Sequence, residues 1–454
     1  MKLIYQVEDK PKFGELIVFA IQQLLAIMAA TLVVPVIVGN GMEPAAALFG
    51  AGVGTLIYVF FTKKKSPVFL GSSFAFLGSM AAAFAGASSV AVGYFGLILG
   101  AVFAGLVYVI IALIVLMVGV DWIDKLMPAV VIGPTVAIIG LSLAGNAVGD
   151  IVTGGVKNAD GGAVADPLVA LICGLVTLGV TMACSVYGKK FGKLIPFIFG
   201  ILAGYAAAAI ITIIGSAAGN DALMVLSTDP FKALVADGFT LSTIITLPTF
   251  TFVTAFGAFS DGISGSYILT ILAAYVPVAF VVFAEHIADH KNISSIIEKD
   301  LLKDPGLHRT LLGDGVGSMV GAAFGGCPNT TYGESIGCVA ITKNASVYSI
   351  IAAAIGAILI SFLAPFVAFV NSIPSCVMGG VCMALYGFIA VSGLKMVQSV
   401  DLNKNKNLFV VSVILIAGIG GLTLNFGSVT ITSIACALIL GILTNIMLKN
   451  GPEE

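Results

Sequence analysis

The sequence predicts an all-α polytopic membrane protein of 14 transmembrane segments, built as two inverted repeats of seven. Three observations predict it. Apolar residues fill 59% of 454 positions, charged residues only 10%, and mean hydropathy is +1.11. A soluble domain carries about 25% charged residues, so this chain could not clothe its surface for water. Twelve runs approach the roughly 20 residues needed to cross a bilayer: 15–38, 44–62, 92–119, 126–146, 166–187, 194–215, 264–289, 310–326, 347–370, 374–394, 408–424 and 428–448. Two more, 68–86 and 328–343, are apolar but interrupted by small and polar residues.

Basic residues test that count. On the 14-span reading 19 Lys and Arg fall on one side, and only Lys157 and Lys232 fall on the other. Such segregation predicts cytoplasmic termini in a cell membrane. Treating either interrupted run as non-spanning destroys it. The segment 240–262 is also apolar, and it is read as interfacial because a span there would reverse everything downstream. Asp121, Asp124 and Lys125 read as a cytoplasmic loop. Residues 291–310 read as a cytoplasmic connector with a short helix stopped at Pro305–Gly306. The first 15 residues are charged and polar, so no signal peptide is expected. The boundaries are 13–215 for the first repeat, 216–263 for an extracellular or interfacial connector, and 264–448 for the second repeat. An odd number of spans per repeat gives the two halves opposite orientation.

The interrupted runs carry the chemistry. FLGSSFAFLGS (69–79) and TTYGESIGCVA (330–340) occupy the third span of each half. Broken helices at matching positions point to a midplane binding site, because an interruption frees backbone N–H and C=O groups for a ligand. Gly71 and Ser72 alone are equally explained by close helix packing. Pro, Asn, Tyr and Glu together, as in PNTTYGES, are poor packing material. Two glutamates stand at membrane depth: Glu285, ending the apolar run ILTILAAYVPVAFVVFAE (268–285), and Glu334. An intramembrane carboxylate is costly and usually faces a pathway. The alternative is a buried structural hydrogen-bonder between helices. Asp289 lies one helical turn from Glu285, so the two share a face and form a candidate pair for proton coupling. Asp289 also suits a helix-end cap or a partner for Lys291. His286 and His290 lie on another face and read as packing or interface residues. Asp314 and Ser318 read as polarising a helix contact.

Seven cysteines lack paired spacing and three histidines are grouped, so neither a disulfide framework nor a metal site is suggested. No Gly-rich phosphate loop with Lys argues for an ATP-driven pump. No cofactor and no nucleic-acid partner is expected, and the chain reads as a secondary transporter rather than an enzyme.

AEHIADH (284–290) and CPNTTYGESIG (327–337) resemble the nucleobase–ascorbate transporter family, and within it the bacterial uracil–proton symporters. The resemblance extends over about 13–448, through QQLLAIMAATLVVPV (22–36), FLGSSFAF (69–76), KDLLKDPGLHRT (299–310) and PSCVMGGVCMALYG (374–387). It implies core and gate domains drawn from both repeats, with short antiparallel strands in spans three and ten leading into half-helices. It implies a uracil or related nucleobase site formed by Glu285, Glu334, the Gly333 backbone, Phe74, Tyr332, Ala30 and the gate tyrosine Tyr386. It further implies a proton as coupling ion, a lipid environment and a homodimer. Two positions depart: Asp289 stands where the uracil symporters carry His, as in purine-transporting relatives, and Ser335 stands where they carry Asn. Rival readings are a xanthine, urate or broader nucleobase permease, an anion exchanger or channel on the same scaffold, and a non-transporting nucleobase receptor.

Overall fold

In a computed structural model the described residues are 3–449, apart from 121, 123–127, 159, 190, 237 and 427–428. Asp121, Asp124 and Lys125 of the expected loop therefore lie outside them. Among the described residues, eight helices are long and apolar enough to cross a bilayer: Phe13–Val38, Pro44–Phe61, Val90–Val118, Ala129–Ile151, Pro167–Tyr187, Pro196–Ala218, Gly265–Ile297 and Ser375–Val397. Shorter helices fill the space between them, including Leu307–Gly325, Gly333–Thr342, Val347–Ile360, Asn405–Ile419 and Ser433–Met447. The result is a polytopic all-α membrane fold.

Local chemistry sets the helix ends. Pro44, Pro167 and Pro196 open their helices, where a missing N–H costs nothing. The Ser89, Asp166 and Ser264 side chains accept from Val92, Leu168 and Tyr267 amides at 3.2, 2.8 and 3.1 Å. Glycine brings Pro44–Phe61 against Leu307–Gly325. A Cβ on Gly54 would meet the Gly317 carbonyl oxygen at 2.8 Å, and one on Gly317 would meet that of Gly54 at 2.7 Å. Without a hydrophobic drive between helices in lipid, such backbone approach supplies the packing.

The interrupted segments meet each other. Strand β1, Leu70–Ser72, pairs antiparallel with β2, Asn329–Thr331, in the register Leu70↔Thr331, Gly71↔Thr330 and Ser72↔Asn329. The ladder extends through Ser73 N–H to Pro328 C=O at 2.9 Å and Tyr332 N–H to Phe69 C=O at 3.2 Å. These bonds satisfy non-helical backbone that lipid could not tolerate. Any Cβ at Gly71 would overlap the Tyr332 ring. A 3-10 turn, Phe74–Phe76, and helix Leu77–Ala85 follow β1, and helix Gly333–Thr342 follows β2.

Several sequence boundaries move. Glu285 does not end a helix: Gly265–Ile297 runs eight residues past Asp289, because Ile293 and Ile297 keep burying an apolar face beneath a polar one. The short helix expected within 291–310 is this extension, followed by a distorted turn at Leu302–Gly306. The run 347–370 divides into Val347–Ile360 and Ala364–Ser372, with Pro365 in the first turn of the second piece. The run 126–146 breaks at Leu143 before helix Ala144–Ile151. Within 240–262 there are only short turns and helices, Thr251–Ala255 and Ala258–Asp261 the longest. Phe250 there packs on Phe49 and Phe324, with ring centroids 4.8 and 5.2 Å apart. An unexpected hairpin, Leu424–Phe426 with Val429–Ile431, precedes the last helix.

Candidate functional site

The strand crossing leaves a cavity at its edge. Its larger part, about 360 Å³, has Glu285, Ala288 and Asp289 on one wall and Gly333, Glu334, Gly337 and Cys338 on another. Val136 and a stripe from Ser375–Val397, namely Leu385, Phe388, Ile389, Ser392 and Met396, face them. Ser185, Lys193 and Ile341 also line it, so it reaches toward the lysine-rich side. A small recess of about 50 Å³ continues beneath Phe74, Thr331 and Tyr332, and shares Glu285, Gly333, Glu334 and Ile389 with the larger part. Both glutamates therefore face one space. Glu334 lies in the first turn of its half-helix, where N–H groups without intrahelical partners are available to an acceptor.

Hydrogen bonds hold these walls in place. Thr331 Oγ1 donates to Asp289 Oδ2 at 2.7 Å, tying β2 to Gly265–Ile297. Asp289 thus faces the cavity and β2 rather than capping a helix end. Tyr332 OH donates to the Ser72 carbonyl at 2.7 Å, clamping the crossing. Ser335 is fully buried and accepts from Phe69 N–H at 3.0 Å and from the Gln23 amide. It lines neither cavity and joins helix Phe13–Val38 to both broken spans.

The back face of Gly265–Ile297 carries a separate polar network. His290 Nδ1 donates to the His286 carbonyl at 2.7 Å, so its Nε2 accepts from Tyr58 OH at 2.6 Å, and Tyr58 in turn meets Ser66 at 2.6 Å. Thr310 Oγ1 donates to Leu307 C=O at 3.0 Å, so it accepts from His286 Nε2 at 3.0 Å. One proton then lies in the 2.6 Å contact between His286 Nδ1 and Asp314 Oδ2. Both histidines are fully buried. Interhelical packing, rather than lining the cavity, is their place.

Two residues implied by resemblance fall elsewhere. Ala30 lines neither cavity; Ala26, one turn earlier on Phe13–Val38, lines the larger one. Tyr386 also lines neither, because it sits about 100° around its helix from the stripe Leu385–Phe388–Ile389. Its ring instead meets Phe74 edge-on, with centroids 5.8 Å apart. Sequence reading missed the Ser335 clamp with Gln23 and the Tyr58–His290 bond. The QQ pair at 22–23 within an apolar run was the only signal for the first, and Tyr58 in an apolar run gave little signal for the second.

The profile described as the Permease family matches residues 14–426. The chain is similar to the uracil permease of Bacillus caldolyticus, with 38% identity over 100% of this chain and 96% of that protein. It is similar also to the uracil permease of Escherichia coli K12, with 37% identity over 98% and 93%. Among solved structures, the transmembrane domain of the cyanobacterial bicarbonate transporter BicA matches at TM-score 0.62 and 14% identity, over 97% of this chain and 100% of that one. Murine SLC26A9, an anion transporter in its inward-facing state, matches at TM-score 0.62 and 10% identity, over 97% and 69%. These last two bear on the fold alone. By profile and by whole-length relatives, the chain belongs to the nucleobase–cation symporter family and is a membrane permease, not an enzyme.

Proposed function

We propose that the protein imports uracil together with protons by alternating access. The observation that carries this reading is the single cavity shared by Glu285, Glu334 and the Gly333 half-helix terminus beside a strand crossing. Uracil presents alternating N–H and C=O groups along its edge. Glu285 and Glu334 accept ring N–H groups, the Gly333 region donates backbone N–H to a carbonyl, and Phe74 and Tyr332 cover the ring faces. A buried site of this kind rejects bases that leave one of its groups unpaired. The Phe74–Tyr386 contact gives Tyr386 its role through Phe74, and Ala30 packs behind the site. Whole-length similarity to the uracil permeases supports uracil as the base.

Coupling is assigned to Glu285 and Asp289, one turn apart on one wall, with Glu285 loading a proton beside the base and exchanging it with Asp289. The architecture is 14 spans in two inverted repeats, 13–215 and 264–448, around the connector 216–263. Core and gate domains each draw on both repeats. The termini lie in the cytoplasm, the cavity opens inward, and the molecule pairs as a homodimer in lipid. Titration of the purified protein with uracil and xanthine tests the site. Uracil should bind more tightly, and Glu334→Gln should weaken it by about tenfold or more, the loss of a charge-assisted hydrogen bond. Tighter xanthine binding would transfer the assignment to purines, the reading that Asp289 favours.

A further inference from the structure

A second cavity, of about 430 Å³, lies toward the other end of the helices that line the first. The same three stretches of chain line both. Helix Phe13–Val38 gives Ala26 to the first and Val33, Val36 and Ile37 to the second. The segment Ala129–Ile151 gives Val136 to the first and Asn146, Gly149 and Asp150 to the second. Helix Ser375–Val397 gives Leu385 to Met396 to the first and Ser375 and Met378 to the second. At 1.5 Å per residue the two cavities are roughly 15–20 Å apart along these helices. The second opens toward the lysine-poor side, at the end of Phe13–Val38 that leads into the loop before Pro44. Between them along these helices lie the buried residues Ala30, Val381 and Cys382, and Tyr386 stands level with the first cavity.

The polar groups of this outer cavity are open to solvent and to a ligand: Asn146 is exposed and Asp150 half-buried. Asn146 and Asp150 are four apart on one short helix, and among the described residues neither side chain has a hydrogen-bond or ion-pair partner. Gly145 and Gly149 stand on the same segment, and a Cβ on either would meet nothing within 4 Å, so small residues keep the space open. A cavity of this size falls in the range that small ligands occupy.

We propose that the outer cavity is an entry site for a planar cyclic imide or lactam, the class to which uracil belongs. Asp150 accepts a ring N–H and the Asn146 amide donates to the neighbouring ring carbonyl, before the base passes on to Glu285 and Glu334. The proposal rests on the nucleobase reading above, yet it concerns different residues and can fail separately.

The test labels a single introduced cysteine, Val36→Cys, with a membrane-impermeant maleimide from the outside in sealed vesicles. The background is Glu285→Ala, so that the inner site no longer binds uracil. Uracil should slow labelling by about tenfold at ten times its half-protecting concentration. Adding Asp150→Ala or Asn146→Ala should raise that concentration about fivefold each, as loss of one hydrogen bond would. Gly149→Leu, whose side chain projects into open space, should abolish protection while leaving uracil affinity unchanged in a protein with Glu285 intact. Protection that vanishes with Glu285→Ala, or persists unchanged in Asp150→Ala and Asn146→Ala, overturns the entry site. Failure of the intact protein to bind uracil at all would instead refute the nucleobase reading.

Discussion

Replacing Ser335 by Ala separates a structural role from base recognition at a position that departs from the uracil symporters. Ser335 Oγ receives two buried donors, the Phe69 backbone N–H at 3.0 Å and the Gln23 side-chain amide. Ser335→Ala strands both. Each stranded donor costs about 1–3 kcal/mol, so destabilisation of about 2–6 kcal/mol is expected, toward the low end if Gln23 turns to another acceptor. The assay is unfolding of the detergent-solubilised protein, followed in parallel with the ratio of uracil to xanthine affinity. The midpoint should fall clearly while the ratio holds, since Ser335 lines neither cavity. Gln23→Leu combined with Ser335→Ala should cost less than the sum of the single changes, because one stranded donor has been removed. An unchanged midpoint with an altered affinity ratio would refute the reasoning and place Ser335 in contact with the base.

Asp289→Asn keeps an acceptor for Thr331 while removing the ionisable group. Exchange of labelled for unlabelled uracil should survive, whereas accumulation driven by a proton gradient should be lost; unchanged accumulation and pH profile would remove Asp289 from coupling. Gly71→Ala places a methyl group into the Tyr332 ring and should abolish uracil binding or the folded protein altogether. Normal binding in that variant would show that the crossing tolerates displacement of Tyr332.

Much of this was legible because the bilayer punishes exceptions. Gly, Asn, Thr and Pro at 326–333 cannot continue a lipid-facing helix, and Gly and Ser at 69–79 interrupt a second apolar run, so both broken segments were visible. Glu285 and Glu334 stood out as uncompensated charge. Features that depend on distant partners were not legible. Tyr58 meets His290 across 232 residues, and Ser335 meets Gln23 across 312. No local pattern encodes either. Residue identity carried by resemblance also misses rotation: Tyr386 and Ala30 lie on the right helices, but Leu385, Phe388 and Ala26 face the cavity. The helix end after Asp289 was misjudged because KNISSII is polar in composition, although Ile293 and Ile297 stand at helical spacing and stay buried. The hairpin at 424–431 falls across the end of the run 408–424 and the start of 428–448, though the β-branched Val429, Thr430 and Ile431 after Gly427–Ser428 are a strand signal.

The most direct test is accumulation of labelled uracil in proteoliposomes with and without an imposed proton gradient, in the presence of competing xanthine. With one proton per base, one pH unit of gradient supplies about 1.4 kcal/mol and should concentrate uracil about tenfold, with xanthine competing weakly. Equal internal and external uracil under the same gradient would contradict symport, and dominant inhibition by xanthine would contradict the assignment of uracil to the cavity between Glu285 and Glu334.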